Sequence, residues 1–259
     1  VLTQQFAALR AANRRALVCY ATAGHPDRPR SIALLQGLAD AGADVLEVGV
    51  PFSDPVADGP VIQGSSQRAL EQGMTLDGAL DLITEAKLSV PVVLFSYLNP
   101  LIAAGPDVLE RASQHGVHGV LVTDLPVGAD PAREAWFGTG PLEFVRLVAP
   151  TTPKARMAEI AKHGRGFVYL ISRLGVTGMR DEMSSSLPQS IADLRSVCTL
   201  PICVGFGVSK PEHARTIGAL ADGIVVGSAI VQAAERSVQD AVALTRSLRS
   251  ALDETPPAS

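Results

Sequence analysis

Cysteine is scarce in this chain, and what there is forms no pattern. Cys19, Cys198 and Cys203 make no CxxC pair and no metal-ligand spacing, and each falls in an apolar strand-like or helix-end setting. That excludes a disulfide scaffold and a zinc module, and it reads as small buried hydrophobes in a reducing compartment. Basic charge is not concentrated anywhere: the net charge is −4, with no lysine- or arginine-rich stripe. A nucleic-acid or anionic-membrane partner would call for one. No apolar run approaches the roughly 18 residues of a membrane span. The first twenty residues carry no apolar signal core, so the expected location is the cytoplasm. Neither a Walker A sequence nor a dinucleotide fingerprint is present.

What the 259 residues do contain is a large apolar fraction, 47%, in short runs separated by helical patterns. A helix over residues 3–14 precedes the first strand, Ala16–Ala21. Strands are then expected at Val45–Val50, Pro91–Phe95, Gly119–Thr123, Glu143–Val148, Phe167–Ile171, Pro201–Val204 and Gly223–Val226. Helical spacing fills the intervals at Ser31–Ala41, Val61–Gln72, Leu76–Lys87, Asp107–His115, Ala132–Phe137, Lys154–His163, Leu187–Val197 and Glu212–Leu220, with a last helical region ending near Leu252. Buried runs alternating with crossover helices imply a parallel sheet. Eight such units in this length imply a single (β/α)8 TIM barrel over residues 1–259, with an extra N-terminal helix and short extra helices in the βα-loops. An open doubly wound sheet would want a glycine fingerprint after the first strand, and TAGHP is not one.

The chemistry concentrates in residues 44–64, DVLEVGVPFSDPVADGPVIQG. Alternation along the strand puts Leu46, Val48 and Val50 on one face and Val45, Glu47 and Gly49 on the other. A carboxylate within a buried strand is costly unless it is paired, protonated or used. The Pro/Asp/Gly loop that follows brings Asp54 and Asp58, and a buried acid facing a loop acid forms an acid–base pair. In a barrel, such groups sit at the C-terminal ends of the strands. Tyr97, Asn99 and Asp124 fall on the same end. Asp124, closing a strand before Leu-Pro, reads as a ligand of backbone N–H groups. Two glycine loops, Gly205–Ser209 and Gly227–Ile230, follow strands seven and eight, where barrels of this kind cradle phosphate. The anion is expected to be a sugar-phosphate tail. His115 and His118 read as surface residues, His25 as loop polarity close to the catalytic face, and Trp136 as either an interface anchor or a partly buried core aromatic.

In chain order, TAGHP (22–26), LEVGVPFSDPVADGPVIQ (46–63), SYLNP (96–100), TDLP (123–126), APTTP (149–153), FVYLISRLGVTGMR (167–180), VGFGVS (204–209) and VVGSAIV (225–231) match one family. Over nearly its whole length the chain resembles the tryptophan synthase alpha subunit. The resemblance implies retro-aldol cleavage of indole-3-glycerol phosphate to indole and glyceraldehyde 3-phosphate, with no metal and no cofactor. It also implies a pyridoxal-phosphate beta subunit, in an alpha2-beta2 heterotetramer, that receives the indole. Position by position it makes Glu47 and Asp58 catalytic, with Asp58 held ionised against the indole N–H. It makes Thr177 the residue that orients Asp58, and puts Tyr169 in the same pocket. Tyr20, Phe95 and Leu121 are then candidate indole walls. Phosphate contacts fall to Gly178, Phe206, Gly207, Gly227 and Ser228. Asp54 and Pro55 would meet the partner, and Arg173 sits on the sixth loop. Loops 51–60 and 172–186 have the Gly, Pro, Asp and Ser content of lids. Three other readings compete: a stand-alone indole-releasing lyase, a non-catalytic allosteric subunit, and a metal-dependent aldolase using Asp54 and Asp58.

Overall fold

The computed structural model describes residues 1–171, 186–205 and 207–255. Thr177, Gly178 and Arg173, and Phe206, therefore lie outside the described residues, as does most of the expected 172–186 lid. Eight parallel strands close into a barrel in sequence order: β1 (Ala16–Thr22), β2 (Val45–Gly49), β3 (Val92–Ser96), β4 (Gly119–Val122), β5 (Glu143–Val148), β6 (Val168–Ile171), β7 (Ile202–Gly205) and β8 (Gly223–Val226). The barrel seals where β8 meets β1, with Val18 opposite Val225.

Strand alternation divides the apolar residues into two layers. Leu17, Cys19, Leu46, Val48, Leu94 and Val120 face outward onto the helices. Val18, Val45, Val93, Leu121, Val145, Tyr169 and Val225 fill the interior. The helix α1 (Leu2–Ala11) joins that interior layer through Leu2, Phe6 and Leu9, and Phe6 lies 5.2 Å from Phe167. Because Ala16 and Phe167 stand at the starts of their strands, α1 plugs the N-terminal end of the interior. All three cysteines are buried and free, as their setting implied.

The helices follow the expected order with shifted ends. Asp27 caps α2 (Arg28–Asp40) by accepting from Arg30 N, so the helix starts three residues earlier than its apolar spacing indicates. Downstream of β2 come α3 (Pro60–Glu71) and α4 (Leu76–Ala86), the latter capped by Thr75. The SYLNP segment opens a short α5 (Leu98–Ala103), where Pro100 is tolerated in the first turn. The helices α6 (Val108–Gln114), α7 (Pro131–Thr139), α8 (Lys154–Lys162), α9 (Leu187–Arg195) and α10 (Pro211–Gly218) occupy the remaining crossovers. The last helical region is two helices, α11 (Ser228–Arg236) and α12 (Val238–Asp253). Ser237 is extended between them and caps the second by accepting from Asp240 N.

Two surface expectations are corrected. His115 and His118 are half-buried: His118 Nδ1 accepts from Val92 N at 3.2 Å, and His115 Nδ1 lies 2.7 Å from Arg111 O. A helix-to-strand turn packed against its neighbour needs such side chains for its loose backbone groups. Trp136 packs half-buried against Phe137, ring centroids 4.8 Å apart, which is the core reading.

Candidate active site

Glu47 points into the barrel from β2, between Tyr20 of β1 and Val93 of β3. It is 1% exposed, and its Oε1 has no hydrogen-bond partner. Burial alone raises its pKa to about 8. At neutral pH it is mostly a neutral acid holding a transferable proton.

Asp58 reaches the same end from the loop after β2 and is also buried. Its Oδ2 accepts from the Tyr97 hydroxyl at 3.0 Å, and that hydroxyl accepts in turn from Ala57 N at 2.9 Å. Burial pushes the Asp58 carboxyl up to about 6, with the Tyr97 bond opposing it. Asp58 is thus the more acidic of the two carboxyls. Gln63 of α3 adds a second restraint: its Nε2 donates to Asp58 O at 2.9 Å and to Pro55 O at 3.4 Å. Sequence reasoning placed Tyr97 at this end of the barrel but gave it no role, and it assigned Gln63 nothing. The only signals were a tyrosine closing a strand and a glutamine one turn into a helix after the acidic loop.

The two carboxyl groups therefore differ in acidity. Asp54 does not join them. It is exposed and accepts from Ser53 Oγ at 2.6 Å, and among the described residues no group of three or more His, Cys, Asp or Glu could hold a metal ion. Asp124 does what its position implied, accepting from Leu98 N at 2.7 Å.

Aromatic side chains surround Glu47. Tyr20 and Phe95 meet edge to face at 5.3 Å, Leu121 lies beside Phe95 in register, and Tyr169 faces inward from β6. Both tyrosines lean over a glycine on the next strand. A Cβ on Gly49 would come within 2.1 Å of the Tyr20 hydroxyl, and one on Gly205 within 2.3 Å of the Tyr169 hydroxyl. After β7 and β8, Gly207 takes φ +86, and Gly227 stands before Ser228, the first residue of α11. No side chain caps that helix, which leaves its first N–H groups for an anion. His25 also lies at this end of the barrel, buried, with neither ring nitrogen hydrogen-bonded. A separate cleft of about 500 Å3 lies on the outer side of the acid loop, bounded by Phe52, Asp54, Pro55, Val56 and Gln67. Neither Glu47 nor Asp58 lines it.

A parallel eight-stranded barrel plugged at one end, with two buried carboxyl groups at the other, is a (β/α)8 barrel with the make-up of an enzyme. Comparison with known proteins is more specific. The family model for the tryptophan synthase alpha chain matches residues 6–255. The chain is 45% identical over 237 residues to the tryptophan synthase alpha chain of Geobacter sulfurreducens, covering 89% of each. It is 43% identical over 242 residues to that of Desulfatibacillum aliphaticivorans, covering 92% of this chain and 91% of the relative. Among solved structures, a chain of Mycobacterium tuberculosis tryptophan synthase superposes with a TM-score of 0.90 at 34% identity, covering 97% of both. The alpha subunit from Legionella pneumophila gives 0.88 at 32%, covering 97% of this chain and 98% of that one. The chain belongs to the tryptophan synthase alpha chain family.

Proposed function

We propose that Glu47 and Asp58 divide the chemistry of the family's reaction between them. As a member of this family, the protein is a lyase that cleaves indole-3-glycerol phosphate to indole and glyceraldehyde 3-phosphate in tryptophan biosynthesis. Glu47, protonated in its apolar setting, gives its proton to C3 of the indole ring, which generates an indoleninium cation. Ionised Asp58 accepts a hydrogen bond from the ring N–H and stabilises that charge. The bond from C3 to the glycerol carbon then breaks and its electrons restore the indole. The hydroxyl on that carbon returns a proton to Glu47 as the aldehyde forms, so the acid is regenerated.

The observation that carries this reading is a buried Glu47, its Oε1 without a hydrogen-bond partner, on the same end of the barrel as an Asp58 oriented by Tyr97. Tyr20, Phe95, Leu121 and Tyr169 would enclose the indole. The backbone of Gly207, Gly227 and Ser228, with Gly178 and Phe206, would hold the phosphate. Thr177 and Arg173 would act from the sixth loop, all within one barrel domain over residues 1–259.

The partner would be a tryptophan synthase beta subunit, in an alpha2-beta2 assembly in the cytoplasm. Asp54 and Pro55 would meet it beside the outer cleft, where Val56 is 82% exposed. Among the described residues no helix is long and apolar enough to cross a membrane.

Glu47→Gln and Asp58→Asn should each keep substrate affinity and lose turnover by about 10²–10⁴-fold, the range for a general acid–base group. Near-normal indole release by either variant would overturn the assignment. Size-exclusion chromatography with a beta subunit, and rates with and without it, would separate a partnered subunit from a stand-alone lyase.

A further inference from the structure

Three buried hydroxyls form a chain from the pocket wall to the helix that follows the acid loop. Tyr20 OH lies 3.3 Å from Thr22 Oγ1, and Thr22 Oγ1 lies 2.7 Å from Ser65 Oγ on α3. Ser65 Oγ donates to Ile62 O at 2.8 Å. That last bond fixes the direction of the others. The single Ser65 proton is spent on the carbonyl, so Thr22 must donate to Ser65, and Tyr20 must then donate to Thr22. Tyr20, Thr22 and Ser65 are 5%, 1% and 0% exposed.

The chain of hydroxyls matters because α3, although Arg68 also ties it to α11 through Glu235 at 3.0 Å, fully buries no large apolar side chain. Its fully buried residues are Ser65, Ser66 and Ala69, whereas α4 buries Leu76, Leu80, Leu82 and Ile83. Gly59 precedes α3 with no side-chain cap. A helix docked by small polar side chains loses its place, not its existence, when one hydroxyl goes. Its place bears on the acid loop beside the Tyr97 bonds: Gln63, the neighbour of Ile62, grips the carbonyls of Asp58 and Pro55.

We propose that Thr22 and Ser65 are positioning residues for Asp58. Together with the Tyr20 phenol they dock α3 against β1, and through Gln63 they set where the Asp58 carboxylate stands. The proposal rests on the reading of Asp58 as the group that accepts the indole N–H.

The test uses the full chain, with its beta subunit if turnover requires one. Thr22→Val keeps the side-chain shape and deletes the hydroxyl, and Ser65→Ala deletes the next. Each should lower kcat about tenfold to a hundredfold, the scale of a small misplacement of a reacting group, with KM within about threefold. Thr22→Ser should restore kcat. Thr22→Val added to Asp58→Asn should cost nothing further, because the group it positions is already gone. Wild-type kcat in both hydroxyl variants would overturn the proposal. So would a Thr22→Val loss as large on the Asp58→Asn background as on wild type. Failure of both to fold, by circular dichroism, would make the chain structural and also overturn it. If Asp58→Asn itself kept turnover, the underlying reading of Asp58 would be at fault instead.

Discussion

Tyr97 gives its hydroxyl proton to Asp58 across 3.0 Å, so a phenol at the end of β3 orients a carboxylate 39 residues earlier in the chain. The same oxygen accepts from Ala57 N, which locks the phenol to the loop it serves. Burial raises the Asp58 carboxyl to about 6, and the Tyr97 bond holds it below where burial alone would take it. Tyr97→Phe should therefore raise that pKa further. If ionised Asp58 is required, the acid limb of kcat/KM should move to higher pH, with the largest loss at low pH and recovery as pH rises. A pH–rate profile decides this, and an unmoved acid limb would separate Tyr97 from Asp58 in function.

Glu47 links catalysis to stability. Its carboxyl stands near 8 in the fold against an ordinary value of 4.5. Below 4.5 both states hold the proton. Between 4.5 and 8 the unfolded chain releases a proton that the folded chain keeps, so stability falls as pH rises through that window. Glu47→Gln removes this penalty. Thermal unfolding should show the variant gaining on the wild type steadily from the lower to the upper end of the window, while turnover is lost. A constant difference across that range would mean that Glu47 is not buried in the acid form.

His25 predicts the opposite sign. Burial first, then Arg68, lowers its pKa from 6.5. Arg30 adds to that, and Glu235 and Asp27 oppose it. A base with a depressed folded pKa is neutral in the native state and charges first in the unfolded chain. Stability is then lost as pH falls below 6.5. Replacing it with an apolar side chain of similar bulk, His25→Leu, should flatten the decline of urea midpoints below that pH. Equal slopes for variant and wild type would show that another group sets the acid sensitivity.

Gly207 and Gly227 should respond differently to the same change. Gly207 has open space for a Cβ but sits at φ +86, where alanine is strained by roughly 1–2 kcal/mol. Gly227 carries no such dihedral, and its Cβ would meet Tyr20 and Ile62 at ordinary contact, 3.6 Å or more. Gly207→Ala should lower both stability and affinity for glycerol phosphate. Gly227→Ala should leave unfolding unchanged and weaken phosphate binding alone. Calorimetric titration with glycerol phosphate and with indole tests both, since indole affinity should hardly move. Equal losses for the two ligands would assign the glycines to packing.

Local pattern was enough for much of this protein. Eight apolar runs at regular intervals defined the barrel, because a parallel strand buried on both faces must be apolar throughout. Residue alternation alone set Glu47 on the face opposite Leu46 and Val48, and a strand-ending Asp124 was legible as a backbone acceptor. Helix starts were less so: Asp27 extends α2 because a cap acts through one hydrogen bond and leaves no periodic trace. What only the tertiary structure decided is who meets whom at the end that holds the two carboxyl groups. Nothing in the sequence pairs Tyr97 with Asp58, Gln63 with the acid loop, or Thr22 with Ser65 43 positions away. Alternation fixes the face a side chain takes on its own strand. Its partner across the barrel is set by the closure and register of all eight strands, and no single segment contains that information.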